Sequence, residues 1–183
     1  QKDPSRRYQR WDELADALVE AAGMSGQRKV IPESERFDTL RRLEFFAQFS
    51  DSELWEVMRL ATWKQCEKDD VIIQEGDIGS SFYIITAGDV KVTKQDRLLN
   101  VLKAGECFGE MAYLGRQRFQ RTASVIAINS VTMIEIRAET LMRASDLCRH
   151  HFNGAFLELL VERLAMANTR LSQLLADKNI SVF

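Results

Sequence analysis

Phe82-Tyr83-Ile84-Ile85-Thr86-Ala87-Gly88-Asp89-Val90-Lys91-Val92-Thr93 decides how this chain folds. Phe82 to Ile85 form an unbroken apolar run, and Ala87-Gly88-Asp89 is a turn signal. Val90 and Val92 then alternate with Lys91 and Thr93, the period of a strand with one wet face. The same grammar extends outward. Val71-Ile72-Ile73 precedes the turn Glu75-Gly76-Asp77, and Val101-Leu102 leads into Gly105. Ala123-Ser124-Val125-Ile126 and Val131-Thr132-Met133-Ile134-Glu135-Ile136 follow. Short strands at close spacing with glycine turns argue for a compact β barrel or roll.

On either side the period becomes helical. Phe37, Leu40, Leu43, Phe46 and Phe49 predict one amphipathic helix. Ser50 with Glu53 three residues on predicts a capping box for a second, whose apolar face is Leu54, Val57, Met58 and Ala61. After Arg137, residues Ala138–Leu147 fit a short helix. Asn153–Leu175 fit a long one with Phe156, Leu159, Leu160, Leu164 and Leu171 on a stripe. The fold class expected is α+β, a small antiparallel, jelly-roll-like β roll flanked by helices. Residues 1–32 read as a helix (Trp11, Leu14, Leu18) and a linker. Residues 33–183 read as one domain, with helices at 33–59, the roll at 60–137 and helices at 138–183.

Composition bounds the function. The 183 residues carry 25 Lys and Arg against 27 Asp and Glu, a net charge of -2, with 45% hydrophobic residues. No basic surplus points to nucleic acid. No apolar run approaches the roughly 20 residues that span a bilayer, and the N-terminus is too charged for a signal peptide. Cys66, Cys107 and Cys148 are scattered without paired spacing, as in a reducing compartment, so a cytoplasmic location is expected. His150 and His151 have no partner at metal-ligand spacing and read as surface residues near a helix start. No metal is expected.

The chemistry lies in Phe108-Gly109-Glu110-Met111-Ala112 and, after residues 113–120, Arg121-Thr122-Ala123-Ser124-Val125. Gly109 lets the backbone turn or approach a ligand. Met111 to Leu114 can form one helical turn with outward N–H groups. Arg121 can fork onto phosphate oxygens, and Thr122 adds a hydroxyl. Glu110 would repel a bare anion, yet it can accept hydrogen bonds from hydroxyls. A ligand with one anionic end and a sugar hydroxyl satisfies both, and that is a nucleotide.

These motifs, in this order, resemble the cyclic nucleotide-binding domain family over about residues 34–183. The resemblance implies roles. Glu110 accepts the ribose 2′-hydroxyl, and Arg121 pairs with the cyclic phosphate. Amides around Met111, Ala112 and Ala123 complete a phosphate nest within the cassette 108–125, together with Phe108, Gly109 and Thr122. Val92 and Leu102 line the base. The ligand implied is cAMP or cGMP. Thr122 leaves both open, because in the family a threonine there can hydrogen-bond a guanine amino group as well as phosphate. The segment between the two motifs is slightly longer than the family's commonest form. Its Arg116 and Arg118 are read as solvated charges. The long C-terminal helix is what closes over the base in the family. No capping residue stands out, and the tail Asn179–Phe183 is apolar enough to act as a lid or to pack on the roll.

Asp3-Pro4-Ser5-Arg6-Arg7 followed by Trp11, Leu14 and Leu18 resembles the end of a protein kinase catalytic domain. No glycine loop, catalytic-loop aspartate or magnesium-binding Asp-Phe-Gly accompanies it. The chain is therefore expected to be a regulatory domain rather than an enzyme, the C-terminal regulatory part of a longer bacterial-type serine/threonine protein kinase. Its expected partners are a cyclic nucleotide and an attached or separate catalytic domain such as a protein kinase. The oligomeric state stays open. The competing expectation is an interaction domain of the same fold with a non-functional pocket.

Overall fold

A computed structural model describes residues 31–114 and 120–177. The chain divides between Ile31 and Pro32 into two units. The helix and kinase-like motif expected within residues 1–30, Arg116 and Arg118, and the tail 179–183 lie outside the described residues.

The second unit opens with α1 (Glu33–Arg42), a 3-10 turn (Glu44–Phe46) and α2 (Asp51–Leu60). The single helix expected from Phe37 to Phe49 is thus broken. Leu43 is extended (φ -77°, ψ 130°). The break lets Phe46 and Phe49 turn inward, where Phe46 meets Phe49 and Phe152 edge-on at 5.0 and 6.0 Å. The capping box forms as its sequence signature requires. Ser50 Oγ accepts from Glu53 N, and Ser50 N donates to Glu53 Oε2 at 2.8 Å.

Among the described residues eight strands follow: β1 (Thr62–Cys66), β2 (Val71–Ile73), β3 (Ser81–Ala87), β4 (Val90–Lys94), β5 (Arg97–Leu102), β6 (Cys107–Phe108), β7 (Ser124–Ala127) and β8 (Val131–Arg137). They form two antiparallel four-stranded sheets, ordered β1-β8-β3-β6 and β2-β7-β4-β5. The fold is α+β, a β roll with flanking helices. One core fills the roll, with Tyr83, Ile85, Val125 and Met133 among its members. A second core lies between the first sheet and the helices, with Phe82, Ile84, Ile134 and Ile136 facing Leu40, Phe152 and Phe156. β3 therefore lies between two cores. That is why Phe82 to Ile85 show no alternation, while β4, with one face toward solvent, does.

After β8 come α4 (Ala138–Leu141) and α5 (Asp146–Asp177). The expected Ala138–Leu147 helix is interrupted, and the long helix begins before the expected Asn153. The cause is Ser145, which donates from N and Oγ to Glu56 at 2.7 Å and accepts from Cys148 N at 3.2 Å. That hydroxyl satisfies an N–H in the first turn of α5. His150 and His151 consequently lie within α5. His150 is exposed. His151 is half-buried rather than fully on the surface: its Nδ1 is 2.7 Å from Oε1 of Glu53, which is only 4% exposed. No described helix is long and apolar enough to cross a membrane.

Candidate functional site

β6 ends at Phe108 and the chain turns at Gly109, whose φ of +78° favours glycine. A Cβ there would also press on Arg121 Nη1 at 2.9 Å and Ser81 O at 3.0 Å. The turn delivers Glu110, 5% exposed, followed by the single turn of α3 (Met111–Leu114). Tyr113 N and Leu114 N donate to Glu110 O at 2.9 and 3.0 Å.

Arg121 is held by backbone and side chain together. Arg121 N donates to Asp77 O at 2.7 Å, and Gly76 N donates to Arg121 O at 2.8 Å. The turn Glu75-Gly76-Asp77 therefore clamps the arginine's backbone. Nη2 of Arg121 donates to Ser81 O at 2.7 Å and Nη1 to Gly109 O at 3.3 Å. A Cβ on Gly79 would overlap Nε, Nη2 and Cζ of this guanidinium. Two glycines thus leave the space that the arginine fills. Burial lowers the pKa of the Arg121 guanidinium, which stays protonated at any physiological pH.

Glu110 and Arg121 border one cavity of about 420 Å³, within the range of small-molecule sites. Its apolar walls include Ile73, Val92, Leu102 and Val125 from the roll. Phe108, Gly109, Met111, Thr122 and Ala123 also border it. Ala112 sits in the α3 turn. The cavity's roof is α5, through Arg163, Met166, Ala167 and Arg170.

Arg163 ties roof to floor. Its Nη1 is 2.8 Å from Glu110 Oε1, and its Nη2 donates to Cys107 O. A carboxylate this buried would be costly without such a partner. Burial first, and then the Glu110 charge, push the Cys107 thiol well above its ordinary pKa, so it stays protonated. Arg170 Nη1 reaches Leu99 O at 3.4 Å at the other end of the roof. Sequence reasoning missed these helix residues. The available signal was two arginines seven positions apart, on one helix face beside the small Ala167, within a leucine-rich stripe.

Residues 63–146 match the family model described as "Cyclic nucleotide-binding domain". The chain carries a cyclic nucleotide-binding domain. The domain is similar to the cGMP-dependent protein kinase of Plasmodium berghei (strain Anka), 28% identical over 166 residues, 89% of this chain and 18% of that one. It is also similar to human cGMP-dependent protein kinase 2, 33% identical over 108 residues, 55% of this chain and 14% of that one. The chain thus spans less than a fifth of either kinase. Among solved structures, a cyclic nucleotide-binding domain from Methylobacillus flagellatus superposes with a TM-score of 0.65 at 20% identity, covering 75% of this chain and 80% of that one. The regulatory domain of Toxoplasma gondii PKA, solved with cAMP, superposes with a TM-score of 0.59 at 19% identity, covering 84% and 55%. At these identities the superpositions establish the fold.

Proposed function

We propose that the cavity binds a cyclic nucleotide, cAMP or cGMP, and that α5 reports its occupancy. Arg121 takes the cyclic phosphate, helped by amides around Met111, Ala112 and Ala123. Glu110 accepts the ribose 2′-hydroxyl, and a carboxylate has lone pairs enough to do so beside Arg163. Val92 and Leu102 contact the base. The observation that carries this reading is the pairing of unlike groups on one apolar cavity. Arg121 bonds only to carbonyls among the described residues, so its charge suits an anion. The nearby Glu110 suits a hydroxyl. The names of the kinase relatives support cGMP as one of the ligands.

Because α5 forms the roof, a ligand that fits better under one helix position shifts the population toward it. The shift is only as large as the difference in affinity between the two positions. This reading makes the chain a ligand-binding regulator acting in the cytoplasm, and the catalytic domain it regulates a protein kinase.

Calorimetric titration with cAMP and with cGMP tests the assignment, with wild type beside Arg121→Ala and Arg121→Lys. Saturable binding by wild type is expected, weakened by about tenfold to a hundredfold in Arg121→Ala. Arg121→Lys keeps the charge and falls between. A folded wild type that binds neither nucleotide overturns the proposal.

A further inference from the structure

A polar row crosses the inside of the roll. On the first sheet Tyr83 stands opposite Glu135 of β8 on one side and opposite Phe108 of β6 on the other. Lys64 of β1 lies diagonally beside Glu135, whose direct partner on that strand is Thr62. Tyr83, Phe108 and Met133 belong to the core that fills the roll, and Glu135, two residues after Met133, shares their face. Lys64 Nζ lies 2.8 Å from Glu135 Oε2, and Tyr83 Oη donates to Glu135 Oε1 at 3.1 Å. Tyr83 then stacks on Phe108, with ring centroids 5.0 Å apart. The side chain of Glu135 is 12% exposed and that of Lys64 42%.

An ion pair on the inner face of a roll carries a desolvation penalty that apolar residues would not. Its position supplies a reason for it. The row ends at Phe108, the residue before Gly109. Ser81, two residues before Tyr83 on the same strand face, gives its carbonyl to Arg121. Burial lowers the pKa of the Arg121 guanidinium, and Tyr83, Glu135, Glu110 and Asp77 act the other way. The Glu110 charge is already met by Arg163.

Glu135 is ionised at neutral pH. Burial raises its pKa, but Lys64, Ser81 and Tyr83 outweigh that and hold it below the ordinary value of 4.5. A negative charge therefore stands behind Arg121. Lys64, on the strand beyond β8, places a positive charge behind that one. Neither Lys64 nor Glu135 borders the cavity.

Resting on the cyclic-nucleotide reading above, we infer that Lys64 and Glu135 are a positioning pair that tunes the anion site through Arg121. Glu135 steadies the guanidinium while the cavity is empty and restrains its affinity for the cyclic phosphate. Lys64 sets how strong that restraint is. Coulomb's law fixes the signs, since a phosphate at Arg121 is repelled by Glu135 and attracted by Lys64.

Calorimetric titrations of the full chain with cAMP and with cGMP compare wild type with Glu135→Gln, Lys64→Met, Lys64→Arg and the double variant Lys64→Met/Glu135→Gln. Glutamine at 135 still offers an oxygen to Tyr83. Each single neutralisation breaks the ion pair, so each is expected to lower the thermal midpoint by a few degrees. Affinity is expected to split instead. Glu135→Gln binds about threefold more tightly than wild type, and Lys64→Met about threefold more weakly. Lys64→Arg keeps wild-type affinity, and the double variant returns to within about twofold of it. A merely structural strut would move both single variants the same way. The inference is overturned if both weaken, if both tighten, if neither changes or if the signs are reversed. It is equally overturned if Lys64→Arg weakens binding as much as Lys64→Met, a comparison that stands on the half-exposed lysine alone should Glu135→Gln fail to fold. A folded wild type that binds neither nucleotide overturns the cyclic-nucleotide reading and this inference together, an outcome distinct from binding without the split.

Discussion

Arg163 Nη1 lies 2.8 Å from Oε1 of the buried Glu110, so the helix that roofs the cavity is fastened to a carboxylate on its floor. The same guanidinium holds Cys107 O. One side chain therefore links α5 to β6 and to the turn that starts the cassette. Under the proposed function, a ligand hydroxyl arriving at Glu110 would share an acceptor with the helix and so couple occupancy to helix position.

Replacing Arg163 by alanine leaves Glu110 buried without its cation. The ligand-free domain is expected to lose about 1–3 kcal/mol. Its thermal midpoint should fall by several degrees, since each kcal/mol is worth about 2–4 °C at this chain length. Differential scanning calorimetry reads the midpoint. An unchanged midpoint would show that the pair contributes nothing to the resting fold. Amide exchange should quicken along α5, where the contact is lost.

Gly79 makes room for a side chain elsewhere. Its own backbone needs no left-handed conformation, yet a Cβ would overlap the Arg121 guanidinium. Gly79→Ala is expected to push that group off Ser81 O and to weaken cyclic nucleotide binding by about tenfold or more. Far-ultraviolet circular dichroism should stay native. Isothermal titration measures the loss, and full affinity in the variant would show that Arg121 can move aside without consequence.

Glu53 governs the acid limb of stability. Burial raises its pKa, but hydrogen bonds from Ser50 and the contact with His151 outweigh that and hold it below the ordinary value of 4.5. A depressed carboxylate stabilises the fold above its unfolded pKa, and the contribution disappears as the pH falls through the folded value. Wild type should therefore lose stability below about pH 4.5 more steeply than Glu53→Gln. Urea midpoints measured from pH 7 down to pH 3 give both slopes, and parallel slopes would remove Glu53 from the account.

The turns and strands of the roll were legible because their causes are local. Glycine or Asp at turns, apolar runs, alternation in β4 and the Ser50–Glu53 capping box depend on residues within a few positions of one another. The two motifs that border one cavity, Gly109-Glu110 and Arg121-Thr122-Ala123, were legible for the same reason, since each occupies one short stretch. The helix boundaries near Leu43 and Ser145 were not. They are set by aromatic packing against Phe152 and by Glu56, which local periodicity does not record.

By itself, the sequence determined an α+β roll, its order of elements and the two short motifs that face a cavity, because backbone preference and burial period act between near neighbours. Tertiary structure alone decided which side chains complete the site. Arg163 reaches Glu110 across 53 positions, and His151 reaches Glu53 across 98. Gly79 and Gly109 clear the space that Arg121 occupies. Such contacts arise when α5 folds back over the roll, and the pattern of its own leucines carries no information about which polar groups will lie beneath them.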